Sequence, residues 1–169
     1  FKQSQETILL ETDVGLEDGE LNINKIIAKT GENNIQLKGK ATEPFDLEWS
    51  IDAQKLAQIS PLITGRITGA GVLKGTQKKP SSTFEINASQ LVYNDISQGN
   101  EPITLVGEIG LDDTLIQIKS LLAKSGTNSI NLTGTASDPL ALEVQINAQK
   151  LSEVSPDITG RIAGTAGDH

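Results

Sequence analysis

The sequence predicts an all-β protein built from tandem repeats, and three observations carry that prediction. Residues 26–69 and 121–164 align without a gap at a constant offset of 95 positions (121 − 26). The first reads IIAKTGENNIQLKGKATEPFDLEWSIDAQKLAQISPLITGRITG and the second LLAKSGTNSINLTGTASDPLALEVQINAQKLSEVSPDITGRIAG. Between the copies one set of alternate positions stays apolar, with Ile35, Leu37 and Ala41 recurring as Ile130, Leu132 and Ala136, while Lys38 and Lys40 become Thr133 and Thr135. The apolar period is two, which fits half-buried strands, and no stretch is long enough for a packing helix. A long repeat made of strand-like pieces reads as a stacked array in which each unit needs its neighbours to bury its apolar face.

The elements follow in order. Over residues 7–16, Ile8, Leu10, Val14 and Leu16 alternate as in a strand, and the copy answers with Ile103, Leu105, Ile109 and Leu111. Asp18-Gly19 is a hairpin signal because both residues tolerate positive φ, and Asp112-Asp113 marks the same corner in the copy. Leu21 and Ile23 begin the return strand, and the phase change to Ile26, Ile27 and Ala28 predicts a bulge near Lys25. Residues 31–34 are read as a turn. Residues 35–41 and 45–53 give the clearest strands, with Phe45, Leu47, Trp49 and Ile51 on one side, Asp46, Glu48, Ser50 and Asp52 on the other, and Pro44 between.

QKLAQISP breaks the pattern, because Leu56 and Ile59 are spaced for a single helical turn that Pro61 stops. Ile63, Ile67, Gly69, Gly71, Leu73 and Gly75 then share one parity, and their glycines leave room for another backbone or a ligand. TQKKPSS reads as a polar turn, Phe84, Ile86 and Ala88 continue the alternation, Leu91 to Tyr93 change phase, and NDISQGNEP is a loop. The same parity in the second copy picks out Ile116, Ile118, Ile130, Leu132, Leu140, Leu142, Val144, Ile146 and Ile162. Repeat one is expected over about 6–100 and a truncated repeat two over about 101–169, together a piece of a longer array.

Burying each large aliphatic side chain is worth ~1.5–3 kcal/mol, so this face cannot be left in water. Three arrangements would cover it: two sheets closing on each other, a closed solenoid, or a sheet curled into a trough that holds something oily. Composition removes other classes. A formal net charge of -8 argues against a nucleic-acid surface. The absence of cysteine excludes disulfides and thiolate metal sites without identifying a compartment. There is no run of ~18 apolar residues to span a bilayer as a helix. The only histidine is the last residue, His169, so no nucleophile has a histidine base, and no catalytic residue is expected. The pairs Glu17-Asp18 and Asp112-Asp113 fit solvated hairpin tips better than a metal site, and neither metal nor cofactor is expected. Arg66 and Arg161 fall on the polar parity, and Lys55 and Lys150 at the turn where a rim would lie.

The segment from Leu56 to Pro61, the glycine-punctuated strand from Ile63 to Gly75, Pro80, and Leu91 with Tyr93, together with a second copy over 151–164, resemble the repeats of the AsmA-like superfamily, most closely the TamB family. The resemblance covers nearly the whole chain. It implies an elongated, curled β-sheet, an open groove described as a taco, with an aliphatic concave face. It also implies a bridge that spans the periplasm of a Gram-negative bacterium from an inner-membrane anchor outside this chain, and the outer-membrane barrel TamA as a partner reached by regions also outside it. Phospholipid transfer and support of outer-membrane protein assembly, including autotransporters, are the functions it implies. On that reading Ile35, Leu37, Phe45, Leu47, Trp49, Ile51, Ile67, Leu73, Phe84 and Ile86 line the groove in repeat one, with Leu105, Ile109 and the second-copy residues above continuing it. An acyl chain gains nothing from hydrogen bonds and needs continuous aliphatic surface free of unpaired polar groups, and this set supplies it. A scaffold that takes up strands of outer-membrane proteins, or a passive β-solenoid stalk, are the alternatives. Lys38 and Lys40 are expected to blunt an exposed edge.

Overall fold

The computed structural model describes residues 7–136, 140–157 and 162–167. They form β1 (Ile8–Glu17), β2 (Glu20–Thr30), β3 (Asn33–Lys40), β4 (Phe45–Ala53), β5 (Ile63–Gly75), β6 (Pro80–Tyr93), β7 (Ile96–Ser97), β8 (Ile103–Asp112), β9 (Leu115–Ser125), β10 (Asn128–Ala136), β11 (Ala141–Ala148) and β12 (Ile162–Gly167). All belong to one sheet whose order follows the chain, with the two-residue β7 turned back onto β6. Single 3-10 turns at Leu56–Gln58 and Leu151–Glu153 are the helical content of the described residues. The chain is therefore all-β, as its alternation predicts. The sheet is open, with β1 and β12 at opposite ends of the path, which agrees with the expected all-β, open-groove architecture.

Local sequence explains the pairing. Asp18 and Gly19 take φ of 50° and 79° and close the β1–β2 hairpin between Glu17 and Glu20, while Asp113 at φ 54° turns β8 into β9. Asp13 faces Lys25 but Val14 faces Ile23, which leaves Asn24 as the extra residue of a bulge beside Lys25, where the sequence placed one. The Asn24 amide donates to the Asp13 carboxylate at 3.3 Å. The bulge keeps Leu21 and Ile23 on the same face as Ile26 and Ala28, which a regular strand could not do.

Four expectations need correction. The turn read at TQKKPSS is only residues 76–79, because Pro80, Ser81 and Ser82 already pair with β5 as the start of β6. The turn read at residues 31–34 is only Gly31 and Glu32, because Asn33 and Asn34 are already in β3. The loop NDISQGNEP contains β7, hairpinned through Asn94 and Asp95 at φ 47° and 66°. Lys38 and Lys40 lie on an inner strand, so they blunt no edge; each reaches a carboxylate on the neighbouring strand, Glu48 at 3.3 Å and Glu20 at 3.0 Å.

A single sheet has no second layer to pack on. The chain exposes 11185 Å², whereas a compact protein of its mass would expose about 8,000 Å². Among the described residues Leu47, Ala53, Leu56 and Ala148 are the buried hydrophobics, and no large side chain is fully buried.

Candidate functional site

Strand register sorts the alternate residues into rows that cross the sheet. The central row runs Ile26, Leu37, Trp49, Gly71, Phe84, Gly107, Leu121, Leu132 and Val144. Beside it lie Ala28, Ile35, Ile51, Gly69, Ile86, Leu105, Ala123, Ile130 and Ile146. On the other flank come Ile23, Gly39, Leu47, Leu73, Ser82, Ile109, Ile118, Gly134 and Leu142. These residues share one face, and apart from Ser82 they are apolar across β2 to β11.

The remaining predicted positions sit at its margins. Phe45 pairs with Gly75, Ile67 with Ala53 and Ala88, and Ile116 with Leu111 and Ala136. Leu140 precedes β11 and is exposed, and Ile162 joins by backbone pairing to Ala148. Arg161 lies outside the described residues; Arg66 is exposed on the polar parity, opposite Ser89. The space that the sequence reading left beside the β5 glycines is taken up within the sheet, because the Trp49 ring lies over Gly71 and Ile86 over Gly69. Most of the aliphatic side chains are half-buried by their neighbours, and some are open to solvent, such as Ile35 at 53% and Ile130 at 47%. A contiguous apolar surface of this extent marks an interaction face.

One end of this face is closed by a device the sequence reading missed. Asn33 is buried, and its Nδ2 donates to the Thr30 carbonyl at 3.0 Å and to the Lys55 carbonyl at 2.9 Å, while its Oδ1 accepts from the Lys55 N–H at 3.0 Å. Asn128 repeats the arrangement with the Ser125 and Lys150 carbonyls at 3.0 and 2.8 Å and the Lys150 N–H at 2.9 Å. Each amide thus pins the 3-10 turn that leaves β4 or β11 to the hairpin that starts β3 or β10. The signal was present in the sequence as one asparagine kept between the copies. Gln58 and Glu153, the matching residues of the two turns, add a second tie: Gln58 Oε1 accepts from the Glu32 N–H at 2.6 Å, and Glu153 Oε2 from the Thr127 N–H at 2.7 Å and hydroxyl at 2.8 Å. The Thr127 N–H and hydroxyl hold the Glu153 carboxyl below its usual range.

The opposite face is polar. Lys25–Glu11 at 3.0 Å, Lys38–Glu48 at 3.3 Å and Lys119–Glu108 at 2.9 Å cross between strands there, and such exposed pairs keep the face hydrated more than they stabilise it. The hydrogen bond and charge of Lys25 hold the Glu11 carboxyl below its usual range. A hollow of about 790 Å³ opens on this face, floored by Ala70, Val72 and Val106 and walled by Gln36, Lys38, Glu48, Glu85 and Glu108. Long side chains standing around small ones form it. It is a charged basin, but Trp49, Gly71, Phe84 and Gly107 of the central aliphatic row also contribute to its lining, so only the sheet itself divides it from the aliphatic face.

Among the described residues no His, Cys, Asp or Glu cluster could hold a metal, and no helix is long and apolar enough to cross a membrane. Glu17 and Asp18 stay at a hairpin tip, and Asp112 pairs with Lys79 at 3.1 Å. What the arrangement offers chemically is apolar surface. No curated protein and no solved structure matches the chain. Residues 9–115, more than half of it, match the family described as TamB, N-terminal domain. The chain belongs to the TamB family.

Proposed function

We propose that the aliphatic face is the wall of an open groove along which phospholipid acyl chains pass between the inner and outer membranes, within a bridge that also supports outer-membrane protein assembly. The observation that carries this reading is the apolar face from β2 to β11, broken in its three rows only at Ser82 and left uncovered in a TamB-family chain. Side chains such as Leu37, Ile51, Leu105 and Leu142 present methyl groups and no hydrogen-bonding atoms, so a chain sliding past them leaves no polar group unpaired. Similar chemistry on successive strands avoids a deep site that would trap the cargo. The role is non-enzymatic. The protein works in the periplasm of a Gram-negative bacterium, held to the inner membrane and joined to the barrel TamA by segments outside this chain.

A photo-crosslinking residue tests the reading in cells. At Leu37, Ile51 or Leu142 it captures phospholipid, and at Lys38 or Glu48 on the other face it does not. Equal yields from both faces would reject the groove. A second reading, a scaffold for strands of unfolded outer-membrane proteins, draws on β1, whose outer edge is unpaired among the described residues and whose Ile8, Leu10 and Leu16 are exposed. It predicts protein crosslinks from Leu9 or Glu11 in place of lipid crosslinks from Leu37.

A further inference from the structure

The aliphatic face holds two glycines whose side-chain space is occupied by aromatic rings. At Gly39, Gly65, Gly75 and Gly134 the backbone has φ between 99° and 127°, and main chain blocks a Cβ. Gly71 and Gly107 are different. Their φ lies outside the left-handed region, so alanine can take their backbone conformation, and the atoms nearest to a Cβ belong to an aromatic ring. A Cβ on Gly71 would stand 2.6 Å from Cε2 and Cζ2 of Trp49 and 2.7 Å from the Thr83 carbonyl oxygen; one on Gly107 would stand 2.7 Å from Cζ of Phe84, 2.9 Å from Cδ1 of Leu121 and 3.2 Å from the Ser120 carbonyl oxygen.

Trp49, Gly71, Phe84 and Gly107 lie in one row on four successive strands of the sheet path. Side chains on a sheet normally stand away from it. Here each ring is laid sideways onto the glycine of the next strand. The second copy supplies an internal comparison, because Trp49 becomes Val144 and Gly71 becomes Ala166, and Val144 pairs with Ala166 in the same register. Where the ring is replaced, the glycine is replaced too.

We infer that Gly71 and Gly107 are specificity-determining residues that keep the Trp49 and Phe84 rings flat, so that the middle of the face stays low enough for an acyl chain to pass. The inference rests on the acyl-groove reading proposed above. A methyl group at either glycine has no free space to enter, so the ring must lift off the sheet and into the path of the chain, and at Gly71 the Thr83 carbonyl of β6 must shift as well, which makes Gly107 the cleaner of the two sites. Glycine at these two positions thereby sets the clearance that aromatic residues would otherwise take away.

The test uses the intact protein loaded with phosphatidylethanolamine carrying brominated acyl chains, which quench tryptophan on contact. Trp49 is the only tryptophan in the chain, so its emission reports one place. Folded wild type retains the lipid and shows quenching. Gly71→Ala and Gly107→Ala, measured below their melting transitions, retain about tenfold less. Retention, read as lipid phosphorus that co-elutes with the protein because the first variant has no tryptophan, returns in Trp49→Val/Gly71→Ala, which copies the Val144 and Ala166 combination, and in Phe84→Leu/Gly107→Ala. Gly110→Ala is the control, since a Cβ there meets nothing closer than 3.8 Å. Wild-type retention in both folded single variants would overturn the inference and leave the groove reading standing. Compensated variants that recover their melting temperature without recovering lipid would also overturn it. A wild type that retains no lipid would defeat the groove reading, and this inference with it. If Gly71→Ala does not fold, Gly107→Ala and its compensated partner decide.

Discussion

One side-chain amide does the work of two turns in this protein. Asn33 satisfies backbone carbonyls of Thr30 and Lys55 and the N–H of Lys55 from a buried position, and Asn128 does the same 95 residues on. Neither leucine nor aspartate could replace it, because the site needs two donors and one acceptor on a short stem. Asn33→Ala takes the partner from three partly buried backbone groups and is expected to cost about 1–3 kcal/mol, read from urea unfolding, with a similar loss in Asn128→Ala. The second tie gives a pH signature. Because the Glu153 carboxyl is held low by Thr127, its contribution is complete above the ordinary carboxyl range and disappears as pH falls through the depressed value. Glu153→Gln keeps an acceptor, as Gln58 does in the first copy, and should lose less melting temperature between pH 7 and about pH 3 than wild type does. Glu11, held low by Lys25, leaves part of the acid dependence in place.

At the scale of elements, the bulges and their glycines decide which residues share a face. Gly39 and Gly134 occupy matching positions with φ of 124° and 127°, and the carbonyls of Asp46 and Ala141 stand where a Cβ would go. Gly134→Ala is expected to cost about 1–3 kcal/mol in urea unfolding, whereas Gly110→Ala, in open space, leaves the midpoint unchanged. Much of this layer was legible in the sequence. The 3-10 turn at Leu56, the hairpin at Asp18-Gly19 and the bulge beside Lys25 each follow from a local rule about φ, proline or phase. What escaped was non-local. Asn33 looks like any turn asparagine until Lys55 arrives opposite it, and the fate of the space at Gly71 depends on a ring 22 residues earlier in the chain (71 − 49) that only strand pairing brings alongside. The placement of Lys38 and Lys40 failed for the same reason, since the sequence does not say which strands lie at the edges.

The whole molecule is a wide, single-layered sheet that exposes 11185 Å², against about 8,000 Å² for a compact protein of equal mass. An uncovered aliphatic face is costly in water, so whatever covers it should stabilise the fold. A ligand held only by the native state raises stability by mass action. Phospholipid added below its detergent-solubilised limit is therefore expected to raise the melting temperature of the purified chain and to appear as adducts in native mass spectrometry. The faces can be separated by two neighbouring residues of β11, because Leu142 is aliphatic-side and Glu143 polar-side. Leu142→Arg sets a cation in the acyl path, and a folded variant should lose both the lipid adducts and the thermal shift, while Glu143→Arg keeps both. If Leu142→Arg folded and still showed the full shift, lipid would be binding somewhere other than the aliphatic face, and the charged basin over Ala70, Val72 and Val106 would become the place to look.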